Sequence, residues 1–303
     1  TQGWVPTIDE AVADAPSKNN MEGIFGFGTT GSVTGVTNLV SSSGVVASDV
    51  SAVGTVRQSV GACEYGGDKG IFGYGTTGSI TAVTNLVSNA GVVATDVTGV
   101  GTARSILAAC GYGEDKGIFG YGHTGSATAV TNLVSNVGVV ATDVTGVGTA
   151  RYYLAACEYG GDKGIFGFGT TGSLTAVTNL VSNAGVVATD TAGVGTARSN
   201  LTACSYGEDK GIFGLGATAV YSGLTNLVSN TGVVASDTAA VAAGKEGPAA
   251  TQYGYDKGIF GYGYYTGPGY VSLTNLVSNA GVVATDTTGV GTARAYLGAC
   301  SFN

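Results

Sequence analysis

An all-β chain wound into a ring of six blades, a β-propeller with four antiparallel strands to each blade, is the fold this sequence predicts. Three observations predict it. The first is a repeat: Asp68-Lys69-Gly70-Ile71-Phe72-Gly73-Tyr74-Gly75 recurs almost unchanged at 115–122, 162–169, 209–216 and 256–263, and 23–28 is a relative without the leading Asp-Lys. The lysines at 69, 116, 163, 210 and 257 stand 47 residues apart, a period that marks propellers and solenoids. The second is composition: 54 glycines with abundant Val, Thr and Tyr, only 4 prolines and 44% apolar residues suit short strands joined by tight turns, not disorder. The third is phase. Asn303 falls at the repeat position of Gly113 and Asn20 at that of Glu114, so the tail stops where the first copy starts. A ring wants such a whole number, because the last strand then completes the first blade and removes both free edges.

Taken in order, residues 1–19 match no part of the repeat. They are read as an arm outside the repeated body, with Trp4, Val5 and Ile8 as its docking residues, or as a strand or cap packed on that body. A tryptophan is costly to leave in water, so some surface is expected to cover Trp4. Residues 20–303 form the propeller. In the second copy Lys69 to Gly75 is one strand and Ile80 to Val87 a second. Asn89-Ala90-Gly91 is a turn, since Asn and Gly tolerate positive φ. Gly91 to Asp96 is a third strand and Thr102 to Cys110 a fourth. By phase, Thr292 to Phe302 joins the segment from Glu22 to Gly54 in one composite blade. A solenoid is the alternative, and it would carry a distinct polar cap at each end.

The charge balance, 12 cationic against 20 acidic residues and net -8, argues against nucleic acid, which needs clustered Lys and Arg. No apolar run approaches the roughly 20 residues of a membrane span, and no signal peptide opens the sequence.

An Arg, an Ala-rich strand and then a Gly-bounded Ile-Phe-Gly strand, as in Arg104, Ala108 and Ile118-Phe119-Gly120-Tyr121-Gly122, resembles the kelch repeat of β-propellers. Here the glycine pair is split by Tyr, Phe or Leu, and the kelch tryptophan is missing. The wording of residues 274–294, Thr-Asn-Leu-Val-Ser-Asn-Ala-Gly-Val-Val-Ala-Thr-Asp-Thr-Thr-Gly-Val-Gly-Thr-Ala-Arg, also resembles repeats in virion structural proteins of tailed bacteriophages. That likeness implies a structural component of a phage particle, with other structural proteins of the assembly as partners and the virion, or an extracellular surface, as its place.

Candidate chemistry is sparse. Gly73-x-Gly75-x-x-Gly78 fits the dinucleotide fingerprint on paper, but that motif needs a following helix; here it reads as a glycine-punctuated strand end. Cysteines 63, 110, 157, 204 and 300 fall one per repeat, with Thr251 in the sixth slot, and His123 is the only histidine. Buried free thiols are expected, and no metal or cofactor. Arg57, Arg104, Arg151, Arg198 and Arg294, with Lys245 in the remaining slot, form one ring, and Asp49, Asp96, Asp143, Asp190, Asp237 and Asp286 another. They would either line a charged channel mouth or pair to tie blade to blade; the second reading is the simpler. Six copies of one contact serve geometry better than catalysis, so the chain is read as no enzyme. Asymmetry is concentrated in Ala217 to Tyr221, Ala242 to Pro248 and Tyr264 to Tyr270. Tyr221, Tyr264, Tyr265 and Tyr270 are therefore the ligand-binding candidates, for surface glycans or a protein partner. Asn200-Leu201-Thr202 is a glycosylation sequon in a stretch expected to be an inner strand. The resulting expectation is a non-enzymatic structural or adhesion subunit. A carbohydrate-binding propeller and an extracellular protein-interaction module are the alternatives.

Overall fold

The computed structural model describes residues 20–239 and 242–302; the arm with Trp4, Val5 and Ile8 lies outside the described residues. In chain order the strands are β1 (Glu22–Gly26), β2 (Thr37–Val40), β3 (Gly61–Tyr65), β4 (Lys69–Gly73), β5 (Thr84–Val87), β6 (Ala108–Tyr112), β7 (Lys116–Gly120), β8 (Thr131–Val134), β9 (Ala155–Tyr159), β10 (Lys163–Gly167), β11 (Thr178–Val181), β12 (Thr202–Tyr206), β13 (Lys210–Gly214), β14 (Thr225–Val228), β15 (Ala249–Tyr253), β16 (Lys257–Gly261), β17 (Tyr264–Tyr265), β18 (Gly269–Tyr270), β19 (Thr274–Val277) and β20 (Gly298–Phe302). No helix occurs among the described residues. Six antiparallel three-stranded sheets result, each with its Gly-Ile-Phe-Gly strand in the middle, and β17 and β18 make a small hairpin.

The regular strands number three to a sheet, not the expected four. The stretch from Gly91 to Asp96 pairs with the outer strand through one isolated bridge, Val87 to Val93, and a second, Thr84 to Val97, follows just beyond it. Its Val92 and the equivalents Val45, Val139, Val186, Val233 and Val282 stand 63–65% exposed. Only Val93 of the Val92-Val93 pair is buried, packed in the core, so the stretch is held at one side chain and pairs at single positions instead of as a full edge strand. The inner strand also starts later than expected, at Ala108 instead of Thr102, because Ser105 bridges to His123 and Ile106 turns through a left-handed conformation.

The expected joining of the two ends is found. β20 pairs antiparallel with β1, Glu22 opposite Phe302 and Gly26 opposite Gly298, and β1 pairs with β2. The inner strands β3, β6, β9, β12, β15 and β20 each contact the next in that order, and β20 contacts β3. A belt of backbone hydrogen bonds closes the same circuit. Ile106 N–H donates to the Ser59 carbonyl, Tyr153 to Ile106, Asn200 to Tyr153, Gly247 to Asn200, Tyr296 to Gly247 and Ser59 to Tyr296, at 2.7–3.1 Å. All six have φ between 54° and 60°. That conformation is costly for Ile106 and persists only because neighbours on both sides impose it.

The core lies between sheets, not within one. Cys63, Tyr65, Ile71 and Tyr74 of one sheet cluster with Leu107, Phe119, Val134 and Val140 of the next, and the other clusters likewise join neighbouring sheets. Ile71 and Phe72 point to opposite faces of β4, and both are fully buried, so the middle strand is covered on its two sides.

Candidate functional site

The repeated charges sit between sheets. Arg57 is fully buried; its Nε donates to the Tyr74 carbonyl at 2.8 Å, Nη1 to the Thr55 carbonyl at 3.0 Å and Nη2 to Asn85 Oδ1 at 2.6 Å. Its guanidinium carbon lies 4.4 Å from the centre of the Phe27 ring of the preceding sheet. Arg104, Arg151, Arg198 and Arg294 stack in the same way on Tyr74, Tyr121, Phe168 and Tyr262. Burial pushes Arg57 down to about 10, with Asp96 opposing, so it stays charged at neutral pH. Asp96 accepts from Thr55 N–H at 3.0 Å, Thr55 Oγ1 at 2.5 Å and Asn85 Nδ2 at 2.9 Å. Asp143, Asp190 and Asp237 clasp Thr102, Thr149 and Thr196 alike. Asp49 clasps Thr292 at 2.5 Å across 243 residues of sequence. In the remaining copy Ala243 replaces the threonine and Lys245 the arginine, and Lys245 Nζ donates to Asn275 at 2.9 Å and to Asp286 at 3.4 Å.

Three cavities follow one another along the inner strands. The first, about 60 Å³, is lined by Glu64, Gly111, Glu158, Ser205, Gln252 and Ser301 together with the cysteines. The second, about 100 Å³, is lined by Ala62, Leu107, Ala109, Leu154, Ala203 and their neighbours. The third, about 70 Å³, opens at the hydrogen-bonded belt and is lined by Ser59, Ile106, Tyr153, Asn200, Gly247 and Tyr296 with the leucines beneath. None of the ring arginines or aspartates lines any of the three. At the first cavity two buried glutamates converge over a glycine, where a Cβ on Gly111 would collide with Glu158 Oε1 and come within 3.0 Å of Glu64 Oε1. Ser301 Oγ donates to Glu64 Oε2 at 2.7 Å. The five cysteines are buried and form no disulfide, each inner-strand sulfur lying against a glycine of the next sheet; Cys63 Sγ would be 2.5 Å from a Cβ on Gly117.

The belt end is the asymmetric one. The rings of Tyr153 and Tyr296 face each other with centres 6.5 Å apart, inclined at 47°. Tyr152 and His123 extend that row outward, with centres 5.3 and 5.0 Å apart. Glu246 joins this row to a second one. Its Oε1 accepts from the Tyr296 hydroxyl at 3.1 Å and its Oε2 from Asn200 Nδ2 at 3.3 Å, while its backbone pairs with Tyr264. Tyr264 meets Tyr221 at 6.3 Å and Tyr270 at 5.1 Å, both edge to face. Burial first, then the Glu246 carboxylate, push the Tyr153 and Tyr296 phenols up.

The structure thus brings Tyr221, Tyr264 and Tyr270 together; Tyr265 lies beside them on β17, opposite Gly269. Asn200 lies in the belt ahead of β12, not in a strand as expected. Tyr296, Glu246 and Asn200 were not singled out by sequence as site residues. The signal was present: the two positions after each ring cation are among the least constant in an otherwise uniform repeat, reading Gln58-Ser59, Ser105-Ile106, Tyr152-Tyr153, Ser199-Asn200, Glu246-Gly247 and Ala295-Tyr296. Among the described residues no group of three or more His, Cys, Asp or Glu side chains could hold a metal ion, and no helix is long and apolar enough to cross a membrane. No protein-family model matches the chain, and no curated protein resembles it significantly.

Proposed function

We propose that the chain is a six-bladed, kelch-like β-propeller serving as a non-enzymatic structural or adhesion subunit of a phage particle, displayed at the virion surface. The observation that carries this reading is the division of polar groups. The arginines and aspartates of every copy of the network hydrogen-bond to groups inside the molecule, and the variable residues gather at one end of the axis. The belt of backbone bonds and the pairing of β20 with β1 support the ring. The wording of residues 274–294 supports the particle. The arm at 1–19 would dock the subunit to another structural protein of the assembly. Deleting residues 1–19 tests this: the truncated chain should melt as the full chain does but fail to enter particles, and a truncated chain that still assembles removes the docking role.

A second reading, glycan binding, is favoured by the edge-to-face cluster of Tyr221, Tyr264 and Tyr270, since clustered tyrosines offer rigid amphipathic area at low entropic cost. The Tyr264→Ala, Tyr265→Ala double variant should lose binding to whichever glycans the native chain retains on an array. A native chain that binds none counts against this reading.

A further inference from the structure

Asn200 carries the most informative polar atom in the belt. Its Nδ2 donates to Glu246 Oε2, and a carboxylate can only accept, so the amide orientation is fixed. Oδ1 is left as an acceptor, shielded from solvent and without a hydrogen-bond partner. An enclosed acceptor of that kind is costly unless something donates to it. Asn200 lines the cavity of about 70 Å³, roomier than the roughly 10–15 Å³ that one water needs. The groups around that cavity agree in sign. The aromatic rings of Tyr153 and Tyr296 line it, Glu246 sets a negative charge behind the lining through its bonds with the Tyr296 hydroxyl and Asn200 Nδ2, and among the described residues no lysine or arginine forms an ion pair with Glu246. Below them Leu107, Leu154, Leu201 and Leu297 make an apolar floor. A neutral polyol presents acceptors as well as donors, and this pocket has few donors to answer them.

We propose that the belt-end cavity binds a primary alkylammonium group. Its N–H donates to Asn200 Oδ1, its charge is balanced by Glu246, and Tyr153 and Tyr296 flank it. Ammonium beside aromatic faces is a favourable pairing, more so where water is excluded, and the leucine floor suits the methylenes that carry the charge. The pocket would take this group whatever larger partner the Tyr221, Tyr264 and Tyr270 cluster meets, because the two share only Glu246.

The test is titration of the isotopically labelled chain with n-butylammonium chloride, with n-butanol as the neutral counterpart at the same ionic strength. Saturable shifts at Asn200, Tyr153 and Tyr296 with n-butylammonium, and none with n-butanol, are expected. Glu246→Gln should weaken binding about tenfold or more, as loss of a charge-assisted contact does. Asn200→Gly removes the acceptor while suiting the left-handed backbone, as Gly247 does at the equivalent position, and should weaken it similarly. Melting of each variant separates lost binding from lost fold. A blocked lysine, Nα-acetyl-lysine methylamide, separates the sources: binding at least as tight as n-butylammonium indicates a lysine of a partner protein, and exclusion of the blocked lysine indicates a free amine. Absent saturation, equal response to n-butanol, or undiminished binding in folded Glu246→Gln would overturn the proposal.

Discussion

A fully buried guanidinium must find acceptors and a surface to lie on, and the five arginines find both in adjacent sheets. The one copy that departs shows the coupling. Leu215 stands where the others have Phe or Tyr, and Lys245 stands where they have Arg. Without an aromatic face the planar, stacking cation loses its advantage, and a lysine reaching Asn275 and Asp286 serves instead. Lys245→Arg alone should therefore gain little stability. Combined with Leu215→Phe it should show a favourable coupling of about 1 kcal/mol in a double-mutant cycle of denaturant midpoints; purely additive changes would deny the stacking a role. The clasp aspartates give a pH dependence with a definite sign. Burial pushes Asp143 up, but hydrogen bonds from Thr102 and Asn132 outweigh it and hold it below its ordinary 3.8; Asp49, Asp96, Asp190 and Asp237 are held down likewise. A folded pKa below the unfolded one stabilises fully above about 4 and is lost as the pH falls through that region. Asp143→Asn should thus cost more stability at pH 7 than at pH 3, measured as urea midpoints at both. An equal cost at both would assign the clasp to packing instead of charge.

At the scale of the strand, the Gly-Ile-Phe-Gly motif is a packing solution. A Cβ on Gly117 would lie 2.5 Å from Cys63 Sγ and 3.0 Å from the Glu64 carbonyl, and one on Gly120 would lie 2.6 Å from Phe166. The glycines therefore let neighbouring sheets close on one another, and the cysteine is the small residue that fills what they leave. Gly117→Ala should destabilise by about 1–3 kcal/mol through overpacking. Adding Cys63→Ala should recover part of that loss even though Cys63→Ala alone is unfavourable; failure to recover any would place the strain at the Glu64 carbonyl. The motif, its spacing and the joining of tail to head were legible in the sequence because near-identical copies allow phase to be counted. The edge stretch from Gly91 to Asp96 was read as a full strand because one buried and one exposed valine, Val93 and Val92, look the same in sequence whether the backbone pairs continuously or only at isolated positions. The belt-end pocket was legible only as variability, in the two positions after each ring cation, and not as an arrangement in space. Tyr153, Asn200, Glu246 and Tyr296 come from separate copies, and only the circular closure brings the first and last of them face to face.

For the molecule as a whole, the decisive feature is that the contact made by β20 with β1 repeats the one made by β3 with β4 and by β6 with β7, in the same register. The passage from β20 to β1 thus lies where a turn joins the two paired strands in every other copy. Two consequences follow from that equivalence. Removing residues 298–303 leaves β1 with an unpaired edge and cuts the contacts of β20 with β15 and β3, so the loss is not confined to one sheet. The truncated chain should lose its cooperative melting transition and associate through the exposed edge, seen by calorimetry and light scattering. Moving the break should do far less. A circular permutant that omits 1–19, joins Asn303 to Asn20 directly and opens between Gly113 and Glu114 keeps every strand pairing and shifts the gap by two sheets. It needs no linker, since the phase of the repeat runs straight through the junction. Its melting temperature should lie close to that of the 20–303 chain, because the belt and the five Asp–Thr clasps are indifferent to where the backbone is cut. A permutant that folds poorly while the 20–303 chain folds well would mean that the native junction carries stability of its own, beyond the contacts it shares with the other five.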